Sequence, residues 1–393
     1  MIDVANRLKQ VEEYYFSKKL REIDELNRSG PRVINLGIGS PDLPPHPEVV
    51  KVLHEESAKP NTHAYQSYKG APALRKAMAD WYDQWYCVSL NPETEFLPLI
   101  GSKEGITHIC MTYLNEGDGA LVPDPGYPAY ASAVKVAGGK NIPFTLKESN
   151  TYFPDLDELS RLVQDNANVK LLFVNYPNMP TGQLPTRAMF DGLINWAAKH
   201  KILIVHDNPY SFILNDQPMS ILASPGAMEV ALELNSLSKS HNLAGWRVGM
   251  LAGKAERLLE VLRFKSNLDS GMFLPVQLAA AKALSLPDTW YKEVNIVYRE
   301  RRVLAFRILD LLGCTYSNAQ AGMFVWASVP KGFKDGFAVT DEVLSKARVF
   351  ITPGGIFGKN GNEFIRISLC SPKEVFTEAI ERVTDHFSGH IDI

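Results

Sequence analysis

The sequence predicts an α/β protein, with a mainly parallel central sheet between helices and a smaller α+β domain attached. Three observations carry this. Between about residues 95 and 255, short and nearly all apolar runs alternate with helical patterns: 120–122, 169–174, 202–205, 230–234 and 247–251. Such runs are expected of strands buried on both faces of a parallel sheet. Polar residues stand at or just after several run ends, namely Asp124, Asn175, Asp207 and Ser236. In open α/β sheets the ligand crevice lies beyond the carboxyl ends of the strands, so these four are expected to converge on one site. Finally, the C-terminal residues mix strand-like runs (323–326, 364–367) with helices.

From the start of the chain, Val4, Leu8, Val11, Tyr15, Phe16, Leu20, Ile23 and Leu26 recur at near-helical spacing with charges between them. This predicts one amphipathic helix, ended by Asn27-Arg-Ser-Gly-Pro31. A short apolar run at 32–36 leads into Gly37-Ile-Gly-Ser-Pro-Asp-Leu-Pro-Pro45, too rich in Gly and Pro for regular structure. That segment reads as a hinge or a ligand-facing loop. Residues 277–312 read as a long helical stretch with many basic residues. The resulting division is a large domain at 46–285 and a small one built from 1–45 with 286–393.

Composition excludes several classes. With 45% hydrophobic and 22% charged residues among 393, the chain is neither fibrous nor of low complexity. A net charge of -3 leaves no basic excess to attract nucleic acid or anionic lipid without sequence specificity, which demotes nucleic-acid binding without excluding it. Four scattered cysteines without a CxxC pair indicate buried thiols in a reducing compartment. No apolar run resembles a signal-peptide core or reaches the roughly 20 residues of a membrane span. The expectation is a cytoplasmic protein without nucleic-acid or membrane partners.

Generic motifs fail. Gly37-Ile-Gly39 lacks the third glycine of a dinucleotide fingerprint, and Pro41 stands where the helix should begin. GxxxxGK[ST] and GxSxG are absent, His54-Glu-Glu has no second histidine, and the nine His form no metal set.

One segment stands out: Ser236-Leu-Ser-Lys-Ser-His-Asn-Leu-Ala-Gly-Trp-Arg-Val-Gly249. A lysine taken alone is usually a solvated surface charge. Lys239, however, follows an apolar strand and precedes a Gly-Trp, an environment that desolvates it. Desolvation lowers the ammonium pKa and frees the amine to attack an aldehyde.

Position for position, this segment resembles the lysine-attachment motif of class I/II pyridoxal-phosphate aminotransferases, enzymes of fold type I. The resemblance implies that Lys239 holds pyridoxal 5'-phosphate as an imine, while Arg247, Ser236 and Ser238 hold its phosphate. Other motifs then acquire roles by the same resemblance. Asp207 resembles the aspartate that pairs with the pyridine nitrogen, and Tyr210 the tyrosine that hydrogen-bonds the ring's phenolic oxygen. Ser102 and Lys103, opening a helix after Leu99-Ile-Gly101, resemble the phosphate cradle. A helix N-terminus favours an anion there. Tyr127, in Pro123-Asp-Pro-Gly-Tyr-Pro128, resembles the aromatic that stacks on the ring. Tyr65 resembles the tyrosine that reaches the phosphate from a neighbouring subunit, which implies a homodimer; Tyr68 is the alternative occupant of that role. Arg366, inside the apolar stretch 362–369, is implied to hold the substrate α-carboxylate, with Gly39 lining the same pocket. Standing alone, a buried arginine could equally be a structural ion pair.

The resemblance runs from about residue 30 to the end. The segments 100–105, 265–271 and 352–358 look most like the LL-diaminopimelate aminotransferase branch, in which Tyr14 would contact substrate. The implied reaction moves an amino group from an L-amino acid, of diaminopimelate or aspartate type, to a 2-oxo acid such as 2-oxoglutarate. A C–S β-lyase of the same fold is the alternative. One residue departs from the pattern: Met179 stands where the motif Asn-Pro-Thr-Gly has asparagine. A thioether cannot donate, so the imine pKa is expected above the family's usual value unless Asn178 or Asn175 supplies the missing donor.

Overall fold

The computed structural model describes residues 2–387 except Gln10, Glu12 and Tyr14. After β1 (Ile34–Asn35), the chain builds a large sheet from β2 (Phe96–Leu99), β3 (Gly119–Asp124), β4 (Lys140–Thr145), β5 (Val169–Asn175), β6 (Leu203–Asp207), β7 (Ala231–Ser236) and β8 (Gly249–Gly253). Their order is β2-β8-β7-β6-β5-β3-β4. Only β8 runs against its neighbours. All five apolar runs are strands; β2 and β4 were not visible in them. The outer strand β4 (Lys-Asn-Ile-Pro-Phe-Thr) is polar and proline-bearing, as an edge allows.

Alternation along each strand divides the core between the two faces. Leu171 and Phe173 join Ile106, Ile109 and Tyr130, under the helices Ser102–Tyr113 and Pro128–Val136. Leu172 and Val174 join Phe190 and Ile194 of the helix Arg187–His200. A second sheet uses β9 (Thr315–Tyr316), β10 (Phe324–Ser328), β12 (Thr352–Pro353) and β13 (Phe364–Ser368), while β11 (Val349–Phe350) pairs in parallel with β1. The N-terminal segment is thereby tied to the C-terminal one.

Two expected helices are each two. The stretch at 277–312 is divided between helices Leu274–Leu284 and Asp288–Leu311, because Pro287 cannot donate a helical hydrogen bond and instead caps the second helix. The N-terminal pattern comprises Asn6–Lys9 and Tyr15–Ser29. Arg21 donates to both carboxylate oxygens of Glu13 at 2.5 and 2.8 Å. Eight residues of straight helix, about 12 Å of rise, would pull that pair apart. No helix among the described residues is long and apolar enough to cross a membrane.

Candidate active site

The carboxyl ends of β5, β6 and β7, the N-terminus of the helix Ser102–Tyr113, the Gly37–Gly39 loop, the helix Tyr15–Ser29 and β13 enclose a cavity of about 460 Å³. Three of the four strand-end residues line it: Asn175, Asp207 and Ser236. Asp124 does not. Its carboxylate turns to the Gly354–Gly361 segment, accepting from Asn360 N at 3.0 Å.

Lys239 emerges just after β7, in a single helical turn (Leu237–Ser240) that Ser236 caps by accepting from Ser238 N at 3.1 Å. Its Nζ donates to Gly39 O at 2.7 Å. The approach needs glycine, since a Cβ at Gly39 would collide with the Phe324 ring. Burial pushes the Lys239 ammonium below the ordinary lysine value, countered by Cys370 and reinforced by Arg366 and Arg247. A weakened ammonium is what a nucleophilic amine requires.

Asp207 lies deep, 5% exposed at the end of β6. Oδ2 accepts from the Tyr130 hydroxyl at 2.8 Å, whereas Oδ1 is buried with no hydrogen-bond partner among the described residues. Burial pushes this carboxyl up to about 6, partly offset by the Tyr130 bond and by His206. A buried carboxylate oxygen left open suits a cationic N–H supplied from outside the chain.

The outer end is basic and hydroxyl-rich, with Ser102, Lys103, Ser236, Ser238 and Arg247 all on the wall. Arg247 contacts Ser238 Oγ at 3.4 Å and Ala244 O at 2.9 Å. Gly101, at φ 79°, lets the guanidinium pass over the helix N-terminus, where any Cβ would collide with it. Burial and Arg247 together depress the Lys103 ammonium. Such a cup fits a phosphate.

At the other end, Arg366 on β13 is 3% exposed. It donates to Gly37 O at 2.8 Å and to Met179 Sδ at 3.3 Å. The rings of Phe324 and Phe357 lie 3.8 and 4.6 Å from its guanidinium carbon. Tyr127 and Tyr210 complete the cavity; burial raises the Tyr210 phenol well above its ordinary value.

Two expected residues are not brought together with the rest. Tyr65 is 91% exposed and Tyr68 45%, and neither lines the cavity of its own chain. Tyr14 lies outside the described residues. The candidate replacements for the missing asparagine are both occupied. Asn175 donates to Asp207 O and accepts from Met179 N; Asn178 donates to Asn175 O and accepts from Thr181. Residues that sequence reasoning missed are Tyr130, Phe16, Leu20, Phe324 and Phe357. Tyr130 follows Tyr127 by three positions at the start of a helix, the one signal that could have found it. The structure also gathers Glu104, His108 and Asp269 within 4.8 Å, a set hidden in the sequence by distance. Lys265 already pairs with Asp269 at 2.6 Å.

A desolvated lysine amine and a buried carboxylate sharing one cavity at the strand ends, with basic and hydroxyl side chains on one side and a separate arginine on the other, suit the active site of an α/β group-transfer enzyme. Residues 31–383 match the model of aminotransferase class I and II. The chain is 39% identical over 385 residues to the LL-diaminopimelate aminotransferase of Aquifex aeolicus, covering 98% of this chain and 99% of that one. It is 40% identical over 381 residues to the enzyme of that name from Moorella thermoacetica, covering 96% and 97%. The solved apo structure of BacF from Bacillus subtilis superposes with a TM-score of 0.93 at 34% identity, covering 98% and 99%. The chain belongs to the aminotransferase class I and II family, and its fold is that of the fold type I pyridoxal-phosphate transferases.

Proposed function

We propose that this aminotransferase binds pyridoxal 5'-phosphate through Lys239 and moves an amino group from an L-amino acid to a 2-oxo acid at the cavity described. The observation that carries the reading is the Lys239 amine, desolvated by burial and sharing one cavity with Asp207, Arg247 and Arg366. When bound, the cofactor supplies an aldehyde that takes up the amino group and a ring that stores the electron pair left at Cα.

The chain's own residues do the rest. Ser102, Lys103, Ser236, Ser238 and Arg247 anchor the phosphate; Tyr127 covers the ring. Asp207 keeps the pyridine nitrogen protonated through its open Oδ1. Tyr210 donates its hydroxyl proton in a hydrogen bond to the ring's phenolic oxygen. Arg366 grips the substrate α-carboxylate and so orients Cα–H toward Lys239, whose freed Nζ takes the proton. The relatives are named for amino transfer, which favours transfer over β-elimination.

The division into a large domain at 46–285 and a small domain from 1–45 and 286–393 belongs to this reading, as does a homodimer in which Tyr65 reaches the partner's phosphate. Support for the dimer comes from Tyr65, Leu259, Leu268 and Phe273, large hydrophobics left 91, 55, 60 and 43% exposed.

Borohydride reduction of the loaded protein, followed by peptide mass mapping, is expected to fix the adduct on Lys239. Lys239→Ala is expected to lower transamination by roughly 10^4-fold or more. An adduct elsewhere, or near-normal turnover by the variant, refutes the proposal.

A further inference from the structure

We propose that Asp42 and Arg301 are positioning residues for the reaction: their ion pair fixes the segment 39–45, which presents the Gly39 carbonyl to Lys239, and ties it to the strand that carries Arg366. The inference rests on the roles given to Lys239 and Arg366 above.

Residues 39–45 join β1 to the helix Pro47–Ser57 and include Pro41, Pro44 and Pro45, which have no N–H to donate. Among the described residues, no backbone–backbone hydrogen bond falls within this segment. Its path is therefore set by side chains. Before Gly39 the chain is secured by its backbone, with Leu36 N donating to Phe350 O and Leu36 O accepting from Ser368 N, at 2.8 and 2.7 Å. After Gly39, Arg301 donates through Nη1 and Nη2 to the two Asp42 oxygens at 2.6 and 2.7 Å. Asn242, in the segment that carries Lys239, donates to Pro44 O at 3.2 Å.

The Arg301 fork reaches further. Its Nη1 also donates to Leu369 O at 3.1 Å, just beyond the end of β13. Arg301 belongs to the helix Asp288–Leu311 and is 4% exposed. One guanidinium thus joins the segment whose Gly39 O holds Lys239 Nζ at 2.7 Å to the strand whose Arg366 is held by Gly37 O at 2.8 Å. All of these contacts lie within one chain. A buried ion pair adds little net stability once desolvation is counted, whereas a bidentate fork fixes distance and orientation. Loosening the segment would weaken the bond from the Lys239 ammonium to Gly39 O, a bond that favours the charged form. It would also spoil the aim of Arg366, and a misplacement of about 1 Å can cost roughly 10^2-fold in rate.

The test combines Asp42→Leu with Arg301→Met, because exchanging a buried ion pair for apolar residues is often neutral for stability. In the cofactor-free protein, Lys239 is methylated with formaldehyde and cyanoborohydride across a pH series and quantified by peptide mass mapping. Its titration is expected about one pH unit below that of wild type. In the loaded protein, KM for the amino donor is expected to rise about tenfold. Arg301→Lys, which keeps the charge and loses the fork, should shift both in the same direction by less, and serves alone where the double variant does not fold. A folded variant whose Lys239 titrates as in wild type overturns the inference and leaves the pair a purely structural role. Absence of a cofactor adduct on Lys239 in wild type overturns the aminotransferase reading instead, and the two failures are separable because the methylation needs no cofactor.

Discussion

Two carboxylates are buried on neighbouring strands, and their surroundings differ in one respect. Glu233 on β7 pairs across the sheet with His206, and Asp207 on β6 pairs with Leu234. Glu233 is wholly buried, and both its oxygens are used. Tyr82 donates to one at 2.9 Å, and His206, Ser220 and Ile221 N meet the other at 2.7, 3.0 and 3.0 Å. Asp207 has one side-chain donor, Tyr130, and an open Oδ1. A carboxylate whose donors come from the fold holds the fold together. One left short of donors is held ready for something the chain does not supply.

Matched isosteric substitutions should separate the two with opposite signs. The largest effect is expected at Asp207→Asn, where transamination falls about 10^3-fold although the cofactor-free protein becomes more stable at pH 7. Its folded pKa of about 6 lies above the ordinary 3.8. The burial penalty is therefore absent below about pH 4 and complete above about pH 6, worth roughly 2–3 kcal/mol. Urea unfolding of wild type and variant should thus diverge between pH 4 and 7, and a gap independent of pH would break the comparison.

Glu233→Gln should do the reverse, lowering stability by about 1–3 kcal/mol because an amide NH2 must face a donor. Activity per folded molecule should stay near wild type, and loss of activity without loss of stability would give Glu233 a role in the chemistry. Smaller still is Met179→Asn, which restores a donor beside the buried Arg366. KM for the amino donor should fall roughly three- to tenfold, in line with one hydrogen bond. The spectrophotometric pKa of the cofactor-bound lysine should fall with it; an unchanged titration would discard the expectation drawn from the missing asparagine. Tyr130→Phe removes the one side-chain donor that Asp207 has, costing about 1 kcal/mol. Because that bond favours the charged form, the carboxyl should titrate higher in the cofactor-free protein, as read by carbon NMR.

Legibility followed the range of the interactions. Runs such as 169–174 and 202–205 read as strands because burial on both faces writes itself into consecutive residues. Strand β4 did not, because an edge strand tolerates polar residues. Lys239 and Arg247 stood out because their neighbours in sequence are also their neighbours in space. Asp124 misled: a polar residue ending a strand is the same signal whether it faces the cavity or, as here, the Asn360 backbone. Met179 was visible as a departure, but not that Asn175 and Asn178 are both engaged elsewhere.

By itself the sequence determined the α/β class, the family resemblance of the Lys239 segment, and the residue types a phosphate and a carboxylate would need, since each rests on local pattern or on a contiguous motif. Tertiary structure alone decided that Oδ1 of Asp207 stays open, that Arg366 rests on Met179 and a pair of phenylalanines, and that the N-terminal helix lends Phe16 and Leu20 to the wall. Those facts depend on which side chains, hundreds of residues apart in the chain, exclude water from one another, and no local pattern encodes that.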